Sequence, residues 1–168
     1  LSKKSDSKPS SSQEVSLAEA IENGGVYINV GGRDVESVLA ESVDRMTGIP
    51  EAHKTVFLEQ LIERESALST GIGKGVAIPH PRQPQTYLDK PLVSICFLES
   101  AVDYKALDGH PVTVLFIIVC PELKMHLQLL SAISFCLKDS AFVRLLETSP
   151  DAPTIIRAIE NSGTIRTD

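Results

Sequence analysis

Ser69-Thr70-Gly71-Ile72-Gly73-Lys74-Gly75-Val76-Ala77-Ile78-Pro79-His80-Pro81-Arg82 is the stretch on which the reading of this chain turns. Three glycines in alternate positions let the backbone turn sharply and approach a ligand closely. The apolar run Val76-Ala77-Ile78 reads as a short strand that Pro79 stops. His80 then stands between two prolines, with Arg82 close behind. This is a way to present an imidazole rigidly at a strand end, beside backbone amides able to hold an anion. A neutral imidazole has a free lone pair near pH 7 and can accept a phosphoryl group. A turn histidine can also do no more than satisfy nearby carbonyls, but the glycines and the Pro-His-Pro clamp favour display.

Two nucleotide-loop readings fail on spacing and context. A P-loop needs Gly-Lys followed by Ser or Thr, and Lys74 is followed by Gly75 and Val76. A dinucleotide fingerprint opens a helix, whereas these glycines run into a strand.

Working outward, Pro50 opens a predicted helix to about Glu65, with Phe57, Leu58, Leu61 and Ile62 on one face. Before it, Ser16-Leu17-Ala18-Glu19 has capping-box spacing, predicting a short helix to about Asn23. Val26–Val30 reads as a strand. Asp34 can cap a helix through about Met46, with Val35, Val38, Leu39 and Val43 as its stripe. After the glycine segment, Leu92–Leu98 and Val112–Val119 are β-branched runs bounded by turns and read as central strands. Leu123–Leu137 places His126, Leu129, Leu130, Ile133 and Leu137 on one helical stripe. Ala141–Glu147 and Ala152–Asn161 read as closing helices. The alternation predicts an α/β fold, a single mixed sheet flanked by helices.

Composition narrows the function. The chain has 168 residues, 42% hydrophobic, with no Trp and a net charge of −6. That length fits one domain. The acidic balance argues against nucleic-acid binding through a basic face. No apolar stretch is long enough to span a bilayer, so membrane insertion is not expected. Cys96, Cys120 and Cys136 sit in apolar runs without a CxxC pair, as reduced core thiols of a cytoplasmic protein would. Residues 1–14 are Ser- and Lys-rich and read as a disordered linker or tail, with the folded domain over 15–168. The start at Leu1 rather than Met fits a fragment with a further domain upstream, and equally a processed or trimmed chain. His53 reads as a helix-surface residue, His110 as part of the turn before a strand, and Lys74 as a solvated loop charge. No histidine pair has metal-ligand spacing, so neither metal nor cofactor is expected.

The segment Ser69 to His80 resembles the phosphorylation-site motif of the fructose/mannitol-type enzyme IIA domains of the bacterial phosphoenolpyruvate-dependent phosphotransferase system, a branch that includes the nitrogen-regulatory enzyme IIA proteins. The helix segment Phe57 to Glu65 and the run Met125-His126-Leu127-Gln128-Leu129-Leu130 resemble the flanking helices of that family. The likeness covers roughly Ser16 to Asn161. It implies the enzyme IIA fold, and it implies that His80 is the phosphorylated histidine, His126 its active-site neighbour and Arg64 the arginine near the phosphoryl group. It also implies an HPr-like donor, and an enzyme IIB or a regulatory target as acceptor.

These roles agree with the chemistry. A guanidinium can grip phosphoryl oxygens bidentately, and a second imidazole can donate a hydrogen bond. Thr70, Gly71, Gly73 and Gly75 are expected to offer further phosphoryl-binding groups, and Arg82 a second cation. Pro81 stands where the family usually has a small residue, and it has no N–H to offer. The Ser-rich N-terminal segment favours a regulatory, nitrogen-related role over sugar transport. A different class of function is a non-catalytic enzyme IIA-like binding or sensor module attached to a regulatory protein, of which a DNA-binding protein is one kind.

Overall fold

The computed structural model describes residues 15–164. The expected tail at 1–14 lies outside them. The element order is α1 (Leu17–Gly24), β1 (Val26–Val30), α2 (Val35–Arg45), α3 (Glu51–Ala67), β2 (Gly71–Gly73), β3 (Val76–Ala77), β4 (Leu92–Val102), β5 (Val112–Val119), α4 (Leu123–Cys136), α5 (Ser140–Leu146) and α6 (Ala152–Thr164). One five-stranded sheet has the order β1-β4-β5-β3-β2. The sheet is mixed: β1 runs parallel to β4 and β3 parallel to β5, while β4–β5 and β2–β3 are antiparallel.

The two central strands are apolar on both faces because both faces are covered. Side chains alternate along a strand. Val93, Ile95 and Phe97 of β4 with Val114, Phe116 and Ile118 of β5 join one core, built with α1, α4, α5 and α6. Leu92 and Cys96 with Leu115, Ile117 and Val119 join the other, built with α2 and α3. The three cysteines are buried, and no disulfide links them. Among the described residues no helix is long and apolar enough to cross a membrane.

Local chemistry sets the helix ends. Ser16 accepts from the Glu19 amide at 3.2 Å and caps α1. Asp34 accepts from the Ser37 amide at 2.8 Å, and the Ser37 hydroxyl accepts from the Asp34 amide, closing a capping box on α2. Gly24 ends α1 against the sheet. A Cβ there would stand 2.1 Å from the Val93 carbonyl oxygen, so only glycine lets the helix sit this close to β4.

Several elements differ from the sequence reading: the third helix continues past Glu65 to Ala67, β4 reaches Val102 rather than Leu98, α6 reaches Thr164 rather than Asn161, and Gly71–Gly73 forms a strand. A three-residue, glycine-bounded strand carries no periodic signal of its own. Its pairing with β3 makes it visible.

Candidate functional site

His80 projects just past β3. The Pro79 carbonyl accepts from the Ile118 amide at 3.0 Å, so the segment after β3 stays attached to β5. The Ile78 amide donates to the Thr70 carbonyl at 3.0 Å, tying it to the start of β2 on the other side. The imidazole is thus mounted between two anchored neighbours. Its Nδ1 lies 2.8 Å from the Ile78 carbonyl oxygen. A carbonyl can only accept, so Nδ1 carries the proton and Nε2 keeps the lone pair.

His126, on the second turn of α4, places its ring centroid 4.6 Å from that of His80, tilted by 42°. Burial pushes the His80 pKa below the ordinary imidazole value, and the Arg64 charge adds to this against the Ile78 hydrogen bond. His126 is pushed down to about 4, first by burial and then by the charges of His80 and Arg64. Both rings are neutral at pH 7. A neutral His80 can attack, and a neutral His126 can still donate one N–H.

Arg64 is on the last full turn of α3. One guanidinium nitrogen donates to the Leu68 carbonyl at 2.7 Å, which holds the side chain at the helix end. A guanidinium has five N–H donors, so most remain for a ligand. Its charge is the smallest of the named influences on the two histidines, lowering the pKa of each.

A cleft of about 410 Å³ opens over His80 and His126, with Arg64 outside its walls. His80, Arg82, Cys120, Glu122, Leu123 and His126 are among its walls. The N-terminus of α4 therefore faces the cleft. No side chain caps the helix there, which leaves first-turn amides and the positive end of the dipole toward any anion held above His80. The sequence reading missed this feature, because Cys120-Pro121-Glu122 has none of the usual capping residues.

The predicted phosphoryl-binding residues separate into two groups. Arg82 is exposed on the cleft wall. Thr70 lies across from Ile78, near His80, but its amide and hydroxyl both donate to the Glu65 carboxylate. The Gly71 amide donates to Ser69 Oγ at 3.0 Å. Gly73 and Gly75 sit at the far end of the hairpin, where φ values of 93° and 76° shape a turn around Lys74. The structure does not bring them to His80. Their neighbours are Asp108 and Thr113. Lys74 is not simply solvated. Its Nζ donates to the Leu137 carbonyl at 2.8 Å, at the C-terminal end of α4, where a cation is favourable.

The loop following His80 is held by groups the sequence did not advertise. The Gln85 amide donates to the Cys120 carbonyl at 2.8 Å, and its side-chain nitrogen donates to Gln60 Oε1 at 2.8 Å. Tyr87 donates to Gln85 Oε1 at 3.0 Å and stacks on His53, with ring centroids 3.9 Å apart. His53 is on the surface, as read, but serves as a platform for this loop. His110 is in the turn before β5 and pairs with Asp108 at 3.2 Å. Among the described residues, no group of three or more His, Cys, Asp or Glu is placed to hold a metal ion.

Comparison with known proteins identifies the family and the fold. Residues 19–162 match the family model described as phosphoenolpyruvate-dependent sugar phosphotransferase system, EIIA 2. The chain is 34% identical over 149 residues to a nitrogen regulatory protein of Pseudomonas aeruginosa, covering 86% of this chain and 95% of that protein. The crystal structure of the nitrogen regulatory protein IIA-Ntr from Neisseria meningitidis superposes with a TM-score of 0.67 at 23% identity, covering 87% of this chain and 96% of that one. Enzyme IIA-mannitol of Escherichia coli, solved in complex with phosphorylated enzyme IIB-mannitol, gives a TM-score of 0.59 at 14% identity, with 82% and 94% covered. The last two establish the fold. With the family match spanning nearly the whole described region, the chain belongs to the EIIA type 2 family of the phosphoenolpyruvate-dependent sugar phosphotransferase system.

Proposed function

We propose that this protein is a histidine phosphocarrier in which His80 Nε2 accepts a phosphoryl group from an HPr-like donor. The observation that carries the reading is the 2.8 Å contact between His80 Nδ1 and the Ile78 carbonyl. It makes Nε2 the only nucleophilic nitrogen of the ring. In the transfer, the Nε2 lone pair forms a bond to phosphorus as the bond between phosphorus and the donor breaks. The proton stays on Nδ1, hydrogen-bonded to the Ile78 carbonyl, so no base has to remove a proton from the attacking atom. The charge developing on the phosphoryl oxygens is met by Arg64, by an N–H of His126 and by the open N-terminus of α4. Catalysis of this kind is positioning and electrostatics, which a site fixed before binding supplies.

The onward partner is an enzyme IIB or a regulatory target protein. The regulatory, nitrogen-related role is supported by similarity to a nitrogen regulatory protein over 95% of that protein's length. The solved complex of a relative with its phosphorylated enzyme IIB supports a surface around the histidine that other carriers can approach.

The test is incubation of the protein with phosphoenolpyruvate, enzyme I and HPr-type proteins, read by intact mass. The expected product is an acid-labile, base-stable adduct of one phosphoryl mass, absent in His80→Ala. No adduct with any HPr-type donor, the cognate one included, overturns the proposal in favour of a non-catalytic binding module.

A further inference from the structure

The last turn of α3 carries two neighbouring side chains connected with His80, one by its charge and one through hydrogen bonds. Arg64 is one. The other is Glu65, which has no place in the site as derived above. Its carboxylate is more than half buried, a costly position for a charge unless its oxygens are hydrogen-bonded. It accepts from the Thr70 amide at 2.5 Å and from the Thr70 hydroxyl. Thr70 is itself buried. The Thr70 carbonyl accepts from the Ile78 amide at 3.0 Å, and the Ile78 carbonyl accepts from His80 Nδ1 at 2.8 Å. An unbroken series of short contacts therefore leads from Glu65 to the proton that decides which imidazole nitrogen is nucleophilic.

We propose that Glu65 is a positioning residue for His80: by fixing Thr70 it places the Ile78 carbonyl, and so holds the ring as the Nδ1–H tautomer. Its consequence for phosphoryl transfer rests on the reading of His80 as acceptor, but the tautomer itself does not. The geometry also explains why both Thr70 donors face the helix rather than the cleft. They serve the mounting of the histidine and not the anion. Arg64 and Glu65 being consecutive on one rigid turn, the phosphoryl-facing cation and the histidine mount keep a fixed relation.

The experiment pairs long-range 1H–15N spectra of the imidazoles with single-turnover phosphorylation. In the wild-type protein His80 should show a protonated Nδ1 and an unprotonated Nε2. Glu65→Ala removes the acceptor for both Thr70 donors. A rise in the Nε2–H tautomer is expected, with phosphorylation slowed about tenfold or more. Glu65→Gln should restore most of both. Its carbonyl oxygen can accept from the Thr70 amide while its amide donates to the Thr70 hydroxyl. A merely structural role would move the melting temperature and leave the tautomer alone. A folded Glu65→Ala protein with wild-type tautomer and rate overturns the proposal. If Glu65→Ala does not fold, Thr70→Val, which deletes only the hydroxyl contact, decides by the same two readouts. If the wild type is not phosphorylated by any donor but the tautomer still follows Glu65, the positioning role stands and the phosphocarrier reading is what fails.

Discussion

Phosphorylation of His80 should make its neighbour His126 take up a proton. In the resting protein His126 titrates at about 4, held down by burial and by the charges of His80 and Arg64. With Nδ1 still protonated, a phosphoryl group on Nε2 turns the neutral ring into a cationic one bearing nearly two negative charges, a net change of about one negative charge. The two rings are 4.6 Å apart. One charge at about 4 Å is worth about 4 kcal/mol at an effective dielectric of 20, or about three pKa units. Screening in an open cleft reduces this, and the Arg64 charge offsets part of it. A rise of about two units remains, from about 4 to about 6. The assay is an NMR titration of the His126 ring protons before and after enzymatic phosphorylation. Between pH 4.5 and 6 the resting protein should hold His126 neutral and the phosphorylated one should hold it cationic. An unchanged midpoint would refute the shared-cleft geometry, as would a resting midpoint at the ordinary value near 6.5. The same depressions fix the sign of the pH–stability relation. The unfolded chain binds these protons near pH 6.5, while both folded histidines bind them only at lower pH. Stability is therefore undiminished above about pH 6.5 and falls as pH drops from there toward about 4. His126→Asn should flatten that slope in urea-unfolding midpoints.

Substitutions at three further positions probe other parts of the account. Gly24→Ala drives a Cβ to 2.1 Å from the Val93 carbonyl oxygen. It should cost about 3 kcal/mol or more, a fall in melting temperature of about 6–12 °C; a shift under 2 °C by calorimetry (~1 kcal/mol or less,) contradicts the close approach of α1 to β4. Arg64→Ala should slow single-turnover phosphorylation by about a hundredfold. Arg64→Lys should recover only part of that, since an ammonium cannot both hold Leu68 and fork onto the phosphoryl group; full recovery would reduce Arg64 to a diffuse charge. Pro81→Ala returns an N–H next to the phosphorylated residue and should slow hydrolysis of the phosphohistidine. An equal half-life, followed by mass spectrometry, removes Pro81 from the list of determinants.

The helices and central strands were legible because their apolar residues repeat with the right period. The caps at Ser16 and Asp34 are local chemistry, and local chemistry is what a sequence displays. His80 was legible for the same reason, since its glycines and prolines surround it directly. The approach of His126 was legible only through family resemblance. Nothing in the helical stripe of α4 shows that the ring of His126 comes to lie 4.6 Å from that of His80. The glycine segment was read too broadly. Alternation of glycines suggested amides aimed at an anion throughout, but pairing with β3 turns Gly73 and Gly75 to the far end, and Glu65 and Ser69 take up the donors of Thr70 and Gly71. Buried Gln85, 5% exposed, holds the loop after His80 through contacts far apart in the chain. An isolated glutamine gives no sequence signal for such a role.

The most direct test of the central claim is which nitrogen carries the phosphoryl group. The protein, labelled with 15N in its histidines, is phosphorylated through enzyme I and an HPr-type donor and examined by long-range 1H–15N and 31P–15N spectra. The account predicts phosphorus bonded to His80 Nε2, with Nδ1 still protonated against the Ile78 carbonyl. Phosphorus on Nδ1, on His126, or on any residue other than His80 would contradict it.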